Sequence, residues 1–306
     1  MHTTRIGFIG LGNMGGRMTR RLVDAGIEVL GFDTAPDRAA AAGARAAQSI
    51  AEVAGFADVV LLSLPDSKVV EAVVEAAGGV LGACRQGQTV IDLSTAAASS
   101  TIRLNALFGQ RGVHYIDAGI SGGAAAAAKG TLTLMVGGDA AAIDAIAWVF
   151  KPIAAKVLHM GGSGAGHTTK LLNNFLNAVS LAATAEVMVA GKKAGLDLHK
   201  LLDAFNSSSG VNFATQNRFP KIVDGDYLEG GLTSRLMTKD VVLYLDLVRA
   251  LGVASLNSSG PLASFGLATA LGYGDKISNR VVDAIGDVSG GIRLNESQDF
   301  ITGGRQ

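Results

Sequence analysis

Strand and helix patterns alternate along the first half of this chain and then give way to helical patterns alone. Short apolar or β-branched runs, typical of strands, occupy residues 6–9, 28–32, 59–63, 89–92, 113–116, 132–136 and 156–159. Helical patterns lie between most of them, for example at 14–25, 67–77, 99–108 and 140–150, and Ser49 and Glu52 have the spacing of a capping box. Alternation at this spacing predicts βαβ units and a mostly parallel sheet.

Near residue 160 the pattern changes at a glycine-rich run, Gly161-Gly162-Ser163-Gly164-Ala165-Gly166, which we interpret as a hinge. No convincing strand follows it. A helical segment at 167–194 would be roughly 42 Å long. Further helical patterns occupy 199–206, 238–251, 261–271 and 279–288. We therefore predict an α/β domain over residues 1–163 and an all-α domain over residues 164–306, with a long interdomain helix.

Composition excludes several classes of protein. Of the 306 residues, 48% are hydrophobic and 17% are charged, which is too apolar for a disordered chain. Lys+Arg and Asp+Glu balance at 26 each, so no basic excess favours binding to nucleic acid or to a membrane surface. No apolar stretch approaches the roughly 20 residues that span a bilayer. A mean hydropathy of +0.34 predicts apolar surface that a subunit interface would cover.

The cysteine and histidine content and the first residues bear on disulfides, metal binding and the cellular compartment. Cys84 is the only cysteine, which excludes an intrachain disulfide and fits a reducing cytoplasm. The five histidines show no metal-ligand spacing, so we expect no metal site. Residues 1–5 run directly into the first strand pattern and leave no room for a signal peptide, and we expect a cytoplasmic protein.

The first strand pattern is followed by a G-x-G-x-x-G motif that opens a helix, Gly10-Leu11-Gly12-Asn13-Met14-Gly15. In this setting the first glycine allows a tight turn, the second lets backbone approach a pyrophosphate, and the third lets the helix pack on the strand. The free N–H groups of the helix N-terminus would bind the phosphates. The motif predicts a Rossmann-type dinucleotide-binding domain. The alternative is a strand–helix turn that binds no ligand.

Asp33 ends the next strand, about 20 residues further on, where a carboxylate accepts hydrogen bonds from the adenosine ribose. A 2′-phosphate would meet negative charge there. Residues 34–36 offer no immediate arginine, and Arg38 lies further along. We therefore predict NAD rather than NADP as the cofactor. Taken alone, Asp33 has the alternative role of a helix cap.

Lys170 lies in the long apolar helical segment, where a solvated lysine would be out of place. Residues three and four apart share a helical face, so Asn173 and Asn174 lie beside Lys170, with Asn177 one turn further on. A lysine flanked by amides in apolar sequence is suited to donating a proton. The alternative, for a lone lysine on a helix, is a solvated surface residue.

Four motifs in order resemble the β-hydroxyacid dehydrogenase family, which includes 3-hydroxyisobutyrate dehydrogenases and tartronate semialdehyde reductases. They are Gly7-Phe8-Ile9-Gly10-Leu11-Gly12-Asn13-Met14-Gly15, Asp117-Ala118-Gly119-Ile120-Ser121-Gly122-Gly123, Gly164-x-Gly166-x-x-x-Lys170-x-x-Asn173-Asn174 and Lys239-Asp240. Gly119 stands where the family usually has proline. The resemblance covers nearly the whole chain.

The resemblance implies an NAD(P)-dependent oxidoreductase in which Lys170 protonates the carbonyl oxygen during reduction and accepts the hydroxyl proton during oxidation. Ser121, Gly122 and Gly123 would bind the substrate carboxylate, unless they form only a turn between strands. Asn174 would orient the substrate, and Asn173 would support it. The cofactor-binding residues, including those of the glycine loop, would be Gly10, Leu11, Gly12, Asn13, Met14, Gly15, Asp33, Leu64, Pro65, Thr95 and Lys239, the last at a helix start.

The resemblance implies a small anionic substrate, a β-hydroxyacid such as 3-hydroxyisobutyrate or glycerate, or its semialdehyde. The alternatives are a related anionic aldehyde, such as succinic semialdehyde or a sulfonated aldehyde, and a sensor that binds dinucleotide without turnover. The loop 208–213 and Gln216 would select the substrate, and Arg235 would bind a second anionic group or form a surface salt bridge. The long apolar helix predicts a homodimer or homotetramer.

Overall fold

The computed structural model describes residues 5–295, which form two compact units, one up to Leu171 and one from Leu172 onward. This boundary falls inside a long helix, whereas the division predicted from the sequence lies between residues 163 and 164. The predicted domain limits therefore stay a prediction. Residues 1–4, on which the expected absence of a signal peptide rests, lie outside the described residues.

An eight-stranded sheet forms the centre of the first unit. The strands β1 to β8 are Ile6–Ile9, Val29–Phe32, Arg45–Ala46, Val59–Leu62, Thr89–Asp92, His114–Ser121, Leu132–Gly137 and Ala154–Gly161. They lie in the order β3-β2-β1-β4-β5-β6-β7-β8. Every neighbouring pair is parallel except β6 and β7. The prediction of a mostly parallel sheet is confirmed.

The carboxyl ends of the central strands lie side by side. Ile9 is paired with Phe32 in β2 and with Leu62 in β4, and Leu62 is paired with Asp92 in β5. The loops that follow these four strands therefore open at the same edge of the sheet. Ligands of open α/β sheets bind outside this edge.

Helices cover both faces of the sheet. Those of the first unit, α1 to α9, are Gly15–Asp24, Arg38–Ala41, Ile50–Phe56, Ser67–Glu75, Val80–Ala83, Ala98–Gly109, Gly123–Lys129, Ala140–Ala145 and Ala147–Phe150. Successive side chains of a strand point to opposite faces. Phe8 accordingly belongs to one core with Met18 and Phe150, and Ile9 belongs to another with Val70 and Phe108.

Apart from an isolated antiparallel bridge between Thr233 and Ile277, the regular elements described in the second unit are helices, and the first of them, α10, begins in the first unit. The helices α10 to α16 are Ala165–Lys193, Leu198–Asn206, Phe213–Asn217, Phe219–Val223, Ser234–Ala250, Ser259–Ala268 and Val281–Val288, with a π-type turn at Thr269–Tyr273 and a 3-10 turn at Ser278–Arg280. The core of this unit contains Phe175, whose ring stacks on that of Tyr244 at 3.7 Å between centroids. The predicted fold class is confirmed.

Several predicted elements have different bounds in the structure, and three of them illustrate the physical reasons. Strand β6 continues to Ser121 instead of ending at residue 116, because it pairs with β7 as an antiparallel neighbour. The helix predicted at 140–150 is interrupted at Ile146, whose φ of −108° and ψ of 8° leave the helical region. The helix predicted to begin at residue 238 begins at Ser234, because the Thr233 hydroxyl accepts the N–H of Leu236 at 3.3 Å and caps it.

Candidate active site

Packing explains two of the three glycines in the loop between β1 and α1. Gly10 has a φ of +89°, and a Cβ there would lie 2.3 Å from the carbonyl oxygen of Ser63. A Cβ on Gly15 would lie 1.9 Å from the carbonyl oxygen of Gly10. Among residues 5–295, a Cβ on Gly12 would meet only Nη1 of Arg38 within 4 Å, at 3.6 Å. The space at Gly12 fits the close approach of a dinucleotide pyrophosphate.

Asp33 is held rigidly at the carboxyl end of β2. Its carboxylate accepts the N–H of Leu11 at 2.7 Å and that of Ala35 at 2.9 Å, and Nη1 of Arg38 lies 3.3 Å away. Burial raises the pKa of this carboxyl, but the two N–H groups and the guanidinium lower it by more, so the pKa lies below its ordinary value. The first turn of α2 thus places the side chain of Arg38 next to that of Asp33. The interval between the two residues in the sequence does not reveal this contact.

The loops after β4 and β5 are joined by hydrogen bonds at the same edge of the sheet. The Leu64 N–H donates to the Ser94 hydroxyl at 3.0 Å, and the Ser94 N–H donates to the Asp92 carboxylate at 3.0 Å. These bonds fix the residues that precede Pro65 and Thr95. The predicted cofactor residues of the two loops are therefore brought together in one unit with Gly10 and Asp33.

The Ser121-Gly122-Gly123 segment joins β6 to α7. Gly122 has a φ of +122°, and a Cβ on it would lie 2.6 Å from the Cβ of Ala126. In the part of the chain that the structure describes, no side chain caps the first turn of α7. The sequence patterns had not predicted this helix. The segment is therefore a strand-to-helix turn rather than a turn between strands. Backbone N–H groups at such a turn are suited to binding an anion.

Lys170 lies in the second turn of α10 and is 9% exposed. Its side-chain stem packs against β6, because a Cβ built on Gly119 would lie 2.5 Å from the Cβ of Lys170 and 3.1 Å from its Cγ. Ser121 follows Gly119 by two residues in the same strand. The first unit therefore brings Lys170 to the strand that carries the predicted carboxylate-binding segment.

Asp117 anchors the start of α10. It is fully buried, and its carboxylate accepts the N–H groups of Gly164 and His167, each at 2.8 Å. A carboxylate at a helix N-terminus satisfies free N–H groups and complements the helix dipole. A Cβ on Gly137 would lie 2.7 Å from this carboxylate, and one on Gly166 would lie 2.4 Å from the carbonyl oxygen of Met135. Small residues on both sides therefore allow the helix start to press onto the sheet.

His167 connects the start of α10 to the end of β5. Its ring is fully buried, with Nε2 3.2 Å from the carbonyl oxygen of Asp92 and Nδ1 2.7 Å from the Thr101 hydroxyl. Since a carbonyl only accepts, Nε2 carries a proton, and in the neutral ring Nδ1 accepts from Thr101. The Asp92 carboxylate in turn accepts the Tyr115 hydroxyl at 2.9 Å. Burial, and then this carboxylate, raise the pKa of Tyr115 well above its ordinary value.

In the second unit, a buried carboxylate orients Asn174. The amide Nδ2 of Asn174 donates to Oδ2 of Asp240 at 2.5 Å, and the two residues are 3% and 1% exposed. Lys239 Nζ forms an ion pair with Oδ1 of Asp240 at 3.1 Å. Because a carboxylate only accepts, the amide oxygen of Asn174 points away from Asp240. Nδ2 of Asn173 approaches that oxygen at 3.5 Å.

Other predicted site residues have different surroundings. Lys239 lies inside α14 and not at a helix start, because Thr233 caps the helix earlier. Arg235 is exposed and forms an ion pair with Asp275 at 3.1 Å. This is the surface salt bridge that the sequence analysis gave as the alternative to binding a second anionic group. Phe213 is 58% exposed at the start of α12, and Gln216 is also exposed.

The sequence interpretation assigned no role to Asp117 and His167 of the first unit or to Asp240 of the second. Asp117 and Asp240 belong to two of the quoted motifs, so the signal was present. Within residues 5–295, no three His, Cys, Asp or Glu side chains are grouped as a metal site would require. None of the helices described is long and apolar enough to cross a membrane.

Comparison with known proteins identifies the family. Two family models match the chain: the NAD binding domain of 6-phosphogluconate dehydrogenase over residues 5–162, and NAD-binding of NADP-dependent 3-hydroxyisobutyrate dehydrogenase over residues 164–283. This chain belongs to the β-hydroxyacid dehydrogenase family. As a member it is an NAD(P)-dependent oxidoreductase that acts on the CH–OH group of hydroxyacids, and the glycine loop described above fits its dinucleotide cofactor.

Three relatives illustrate the range of this dehydrogenase family. The 2-(hydroxymethyl)glutarate dehydrogenase of Eubacterium barkeri is 37% identical over 79% of this chain and 81% of its own length. The NAD-dependent L-serine dehydrogenase of Pseudomonas aeruginosa is 37% identical over 89% and 94%. The solved structure of Mycobacterium tuberculosis 3-hydroxyisobutyrate dehydrogenase with L-serine is 34% identical, with a TM-score of 0.83 over 92% of this chain and 98% of that one.

Proposed function

We propose that this dehydrogenase uses NAD to interconvert a small β-hydroxyacid and its semialdehyde, with Lys170 as general acid and base. The observation that carries the proposal is the position of Lys170. Its stem is packed against Gly119 in β6, and Asp117 of the same strand anchors the helix start. A buried lysine held in this way is pre-organised for proton transfer.

Each group of the site has one task in the proposed reaction. The nicotinamide cofactor, when bound, accepts or supplies the hydride. Lys170 takes the hydroxyl proton during oxidation and returns it to the carbonyl oxygen during reduction. Its ammonium also stabilises negative charge that develops on that oxygen. Backbone N–H groups and the hydroxyl of the Ser121-Gly122-Gly123 segment bind the substrate carboxylate.

The orientation of Asn174 supports its proposed role in positioning the substrate. Because Asp240 accepts its N–H, Asn174 offers its amide oxygen as an acceptor. A substrate hydroxyl is a suitable donor to that oxygen. Asn173 supports this arrangement through its contact with the same oxygen.

Asp33 favours NAD over NADP in this proposal. Its carboxylate, fixed by Leu11 and Ala35, is suited to accept hydrogen bonds from the ribose hydroxyls and repels a 2′-phosphate. The pyrophosphate binds at the loop Gly10–Gly15, which leads into helix α1. Among the described residues no side chain caps the start of this helix, so its N–H groups can bind the phosphates. Leu64, Pro65, Thr95 and Lys239 complete the proposed cofactor contacts.

The substrates we propose are 3-hydroxyisobutyrate, glycerate or a similar short hydroxyacid, with their semialdehydes. The names of the relatives, which act on 2-(hydroxymethyl)glutarate, on L-serine and on 3-hydroxyisobutyrate, support this class. We also propose a cytoplasmic location and a homodimer or homotetramer. The exposed apolar side chains of Leu172, Leu176 and Val187 along α10 support self-association.

A spectrophotometric screen of short hydroxyacids and semialdehyde acids, with NAD and with NADP, tests the proposal. We expect turnover with NAD and a loss of about 10²–10⁴-fold in kcat for Lys170→Ala, while NADH binding measured by fluorescence persists. Lys200→Ala, at an exposed position of α11, is the matched control. Full activity of Lys170→Ala would contradict the role of the lysine. NADH binding without turnover of any of these compounds would instead indicate a sensor.

A further inference from the structure

Arg218, between α12 and α13, is a half-buried arginine whose hydrogen-bond partners are neutral. Nη1 donates to Oδ1 of Asn279 at 2.7 Å, and Nη2 donates to Oδ1 of Asn177 at 2.9 Å. Among residues 5–295, no carboxylate forms an ion pair with it. A guanidinium has five N–H donors. Two of them are engaged by the amides, and three are left for another acceptor.

The other arginines described in the second unit differ from Arg218 in this respect. Arg235, Arg249, Arg280 and Arg293 each form an ion pair with an aspartate. Burial of a charge without an opposite charge is unfavourable. Burial lowers the pKa of Arg218 to about 10, so the guanidinium remains charged at neutral pH. A ligand anion would supply the missing negative charge.

The surroundings of Arg218 place this free hydrogen-bonding capacity beside the substrate residues of the second unit. Asn177 follows Asn174 by three residues on α10, so the two amides share a face with a rise of roughly 4.5 Å between them. The exposed ring of Phe213 lies 5.7 Å from the guanidinium carbon. An anion bound by Arg218 would therefore lie within the reach of a short carbon chain from Asn174.

We propose that Arg218 binds a second anionic group of the substrate, a carboxylate at the end remote from the reacting carbon. The inference rests on the proposed function and predicts that, among short hydroxyacids, those with two acidic groups are the preferred substrates. The two amides hold the guanidinium in place without neutralising it, which pre-organises it for a planar oxyanion. Arg218 thus has the role of binding a second anionic group, which the sequence analysis had considered for Arg235.

Substrate pairs that differ by one carboxylate test the inference. We expect kcat/KM of the wild type to be about ten-fold or more higher for 2-(hydroxymethyl)pentanedioate than for 3-hydroxy-2-methylpropanoate. Arg218→Gln should abolish this preference, mainly through KM. Arg249→Gln, which removes an exposed arginine paired with Asp246, should keep it.

Asn177→Asp provides a variant that keeps the guanidinium and the fold. The new carboxylate would pair with Arg218 in place of the amide oxygen, so the thermal unfolding temperature should not fall. If Arg218 only joins α10 to its neighbours, the ratio of kcat/KM for the two substrates should not change. If it binds the second carboxylate, the ratio should fall about ten-fold or more.

Calorimetric titration with pentanedioate, butanoate and propane-1-sulfonate gives a readout that needs no turnover. We expect pentanedioate to bind the wild type more tightly than butanoate does, and to lose this advantage in Arg218→Gln and Asn177→Asp. If propane-1-sulfonate binds about as tightly as the carboxylates do, the site accepts other oxyanions as well. If neither hydroxyacid is turned over but pentanedioate binding still depends on Arg218, the proposed function fails and the anion site stands. Turnover of both hydroxyacids with no preference would overturn the inference alone.

Discussion

Gly119 and Lys170 lie so close together that a Cβ on the glycine would be 2.5 Å from the Cβ of the lysine. The next atom of the lysine stem would be 3.1 Å away, and the carbonyl oxygen of Gly166 would be 3.2 Å away. Any side chain at residue 119 must therefore move the lysine, the helix or the strand. The position of the proposed proton donor depends on this glycine.

We expect Gly119→Ala to lower kcat by about 10- to 100-fold, because displacement of a reacting group by ~1 Å has an effect of about this size. The affinity for NADH should change little. Steady-state kinetics and fluorescence titration measure the two quantities. Gly82→Ala in α5 is the control, since its Cβ would have no neighbour within 4 Å. Wild-type kcat in a folded Gly119→Ala variant would contradict the prediction.

Asp117→Asn should destabilise the protein by about 1–3 kcal/mol, because the amide nitrogen cannot accept a hydrogen bond from a helix N–H. One of the N–H groups of Gly164 and His167 would then be buried without an acceptor. Urea unfolding measures the loss. Asp144→Asn, at an exposed position of α8, should change stability by less than about 0.5 kcal/mol. Equal stabilities of the two variants would show that Asp117 does not anchor α10.

The coenzyme preference should respond to Asp33. Asp33→Asn removes the charge that repels a 2′-phosphate and leaves Arg38 beside the site, so the ratio of kcat/KM for NADP over NAD should rise about ten-fold or more. Asp37→Asn, at the exposed residue that directly precedes α2, keeps the Asp33 carboxylate and should leave the ratio unchanged. A strict NAD preference in Asp33→Asn would contradict the assignment.

Asp33 should also contribute a pH-dependent part of the stability. Because its folded pKa lies below the unfolded value of about 3.9, its contribution is fully present above about pH 4 and is lost as the pH falls through the folded pKa. The difference in free energy of unfolding between the wild type and Asp33→Asn should be constant from about pH 7 to about pH 5 and shrink at lower pH. Urea unfolding across this range tests the sign. A difference that grows on acidification would be the opposite result.

Self-association should depend on the exposed face of α10. Leu172, Leu176 and Val187 are 43%, 69% and 45% exposed, at spacings that place them on one side of the helix. We expect Leu176→Glu to convert the assembly into monomers in sedimentation velocity at micromolar concentration. Leu256→Glu, at a residue that is 86% exposed, is the control and should leave the assembly intact. A wild-type monomer would refute the prediction.

Features that depend on neighbours along the chain were predictable from the residues alone. The alternation of strands and helices predicted the parallel sheet, and the spacing of Ser49 and Glu52 predicted the cap of α3, in which the Ser49 hydroxyl accepts the N–H of Glu52 at 3.1 Å. The motif around Lys170 marked the residue that the structure places against β6. Helical and strand periodicity depend on residues that are neighbours in the chain, so the order of the residues shows them directly.

Contacts between segments that are distant in the sequence were not predictable in this way. Nothing in the order of residues indicated that Asp117 binds N–H groups at the start of α10, or that Arg218, among residues 5–295, meets two amides and no carboxylate. Strand β6 was predicted too short for the same reason, because its last residues are strand only through pairing with β7. Packing of the sheet and the helices selects these partners, and with them the environment in which each charged group acts.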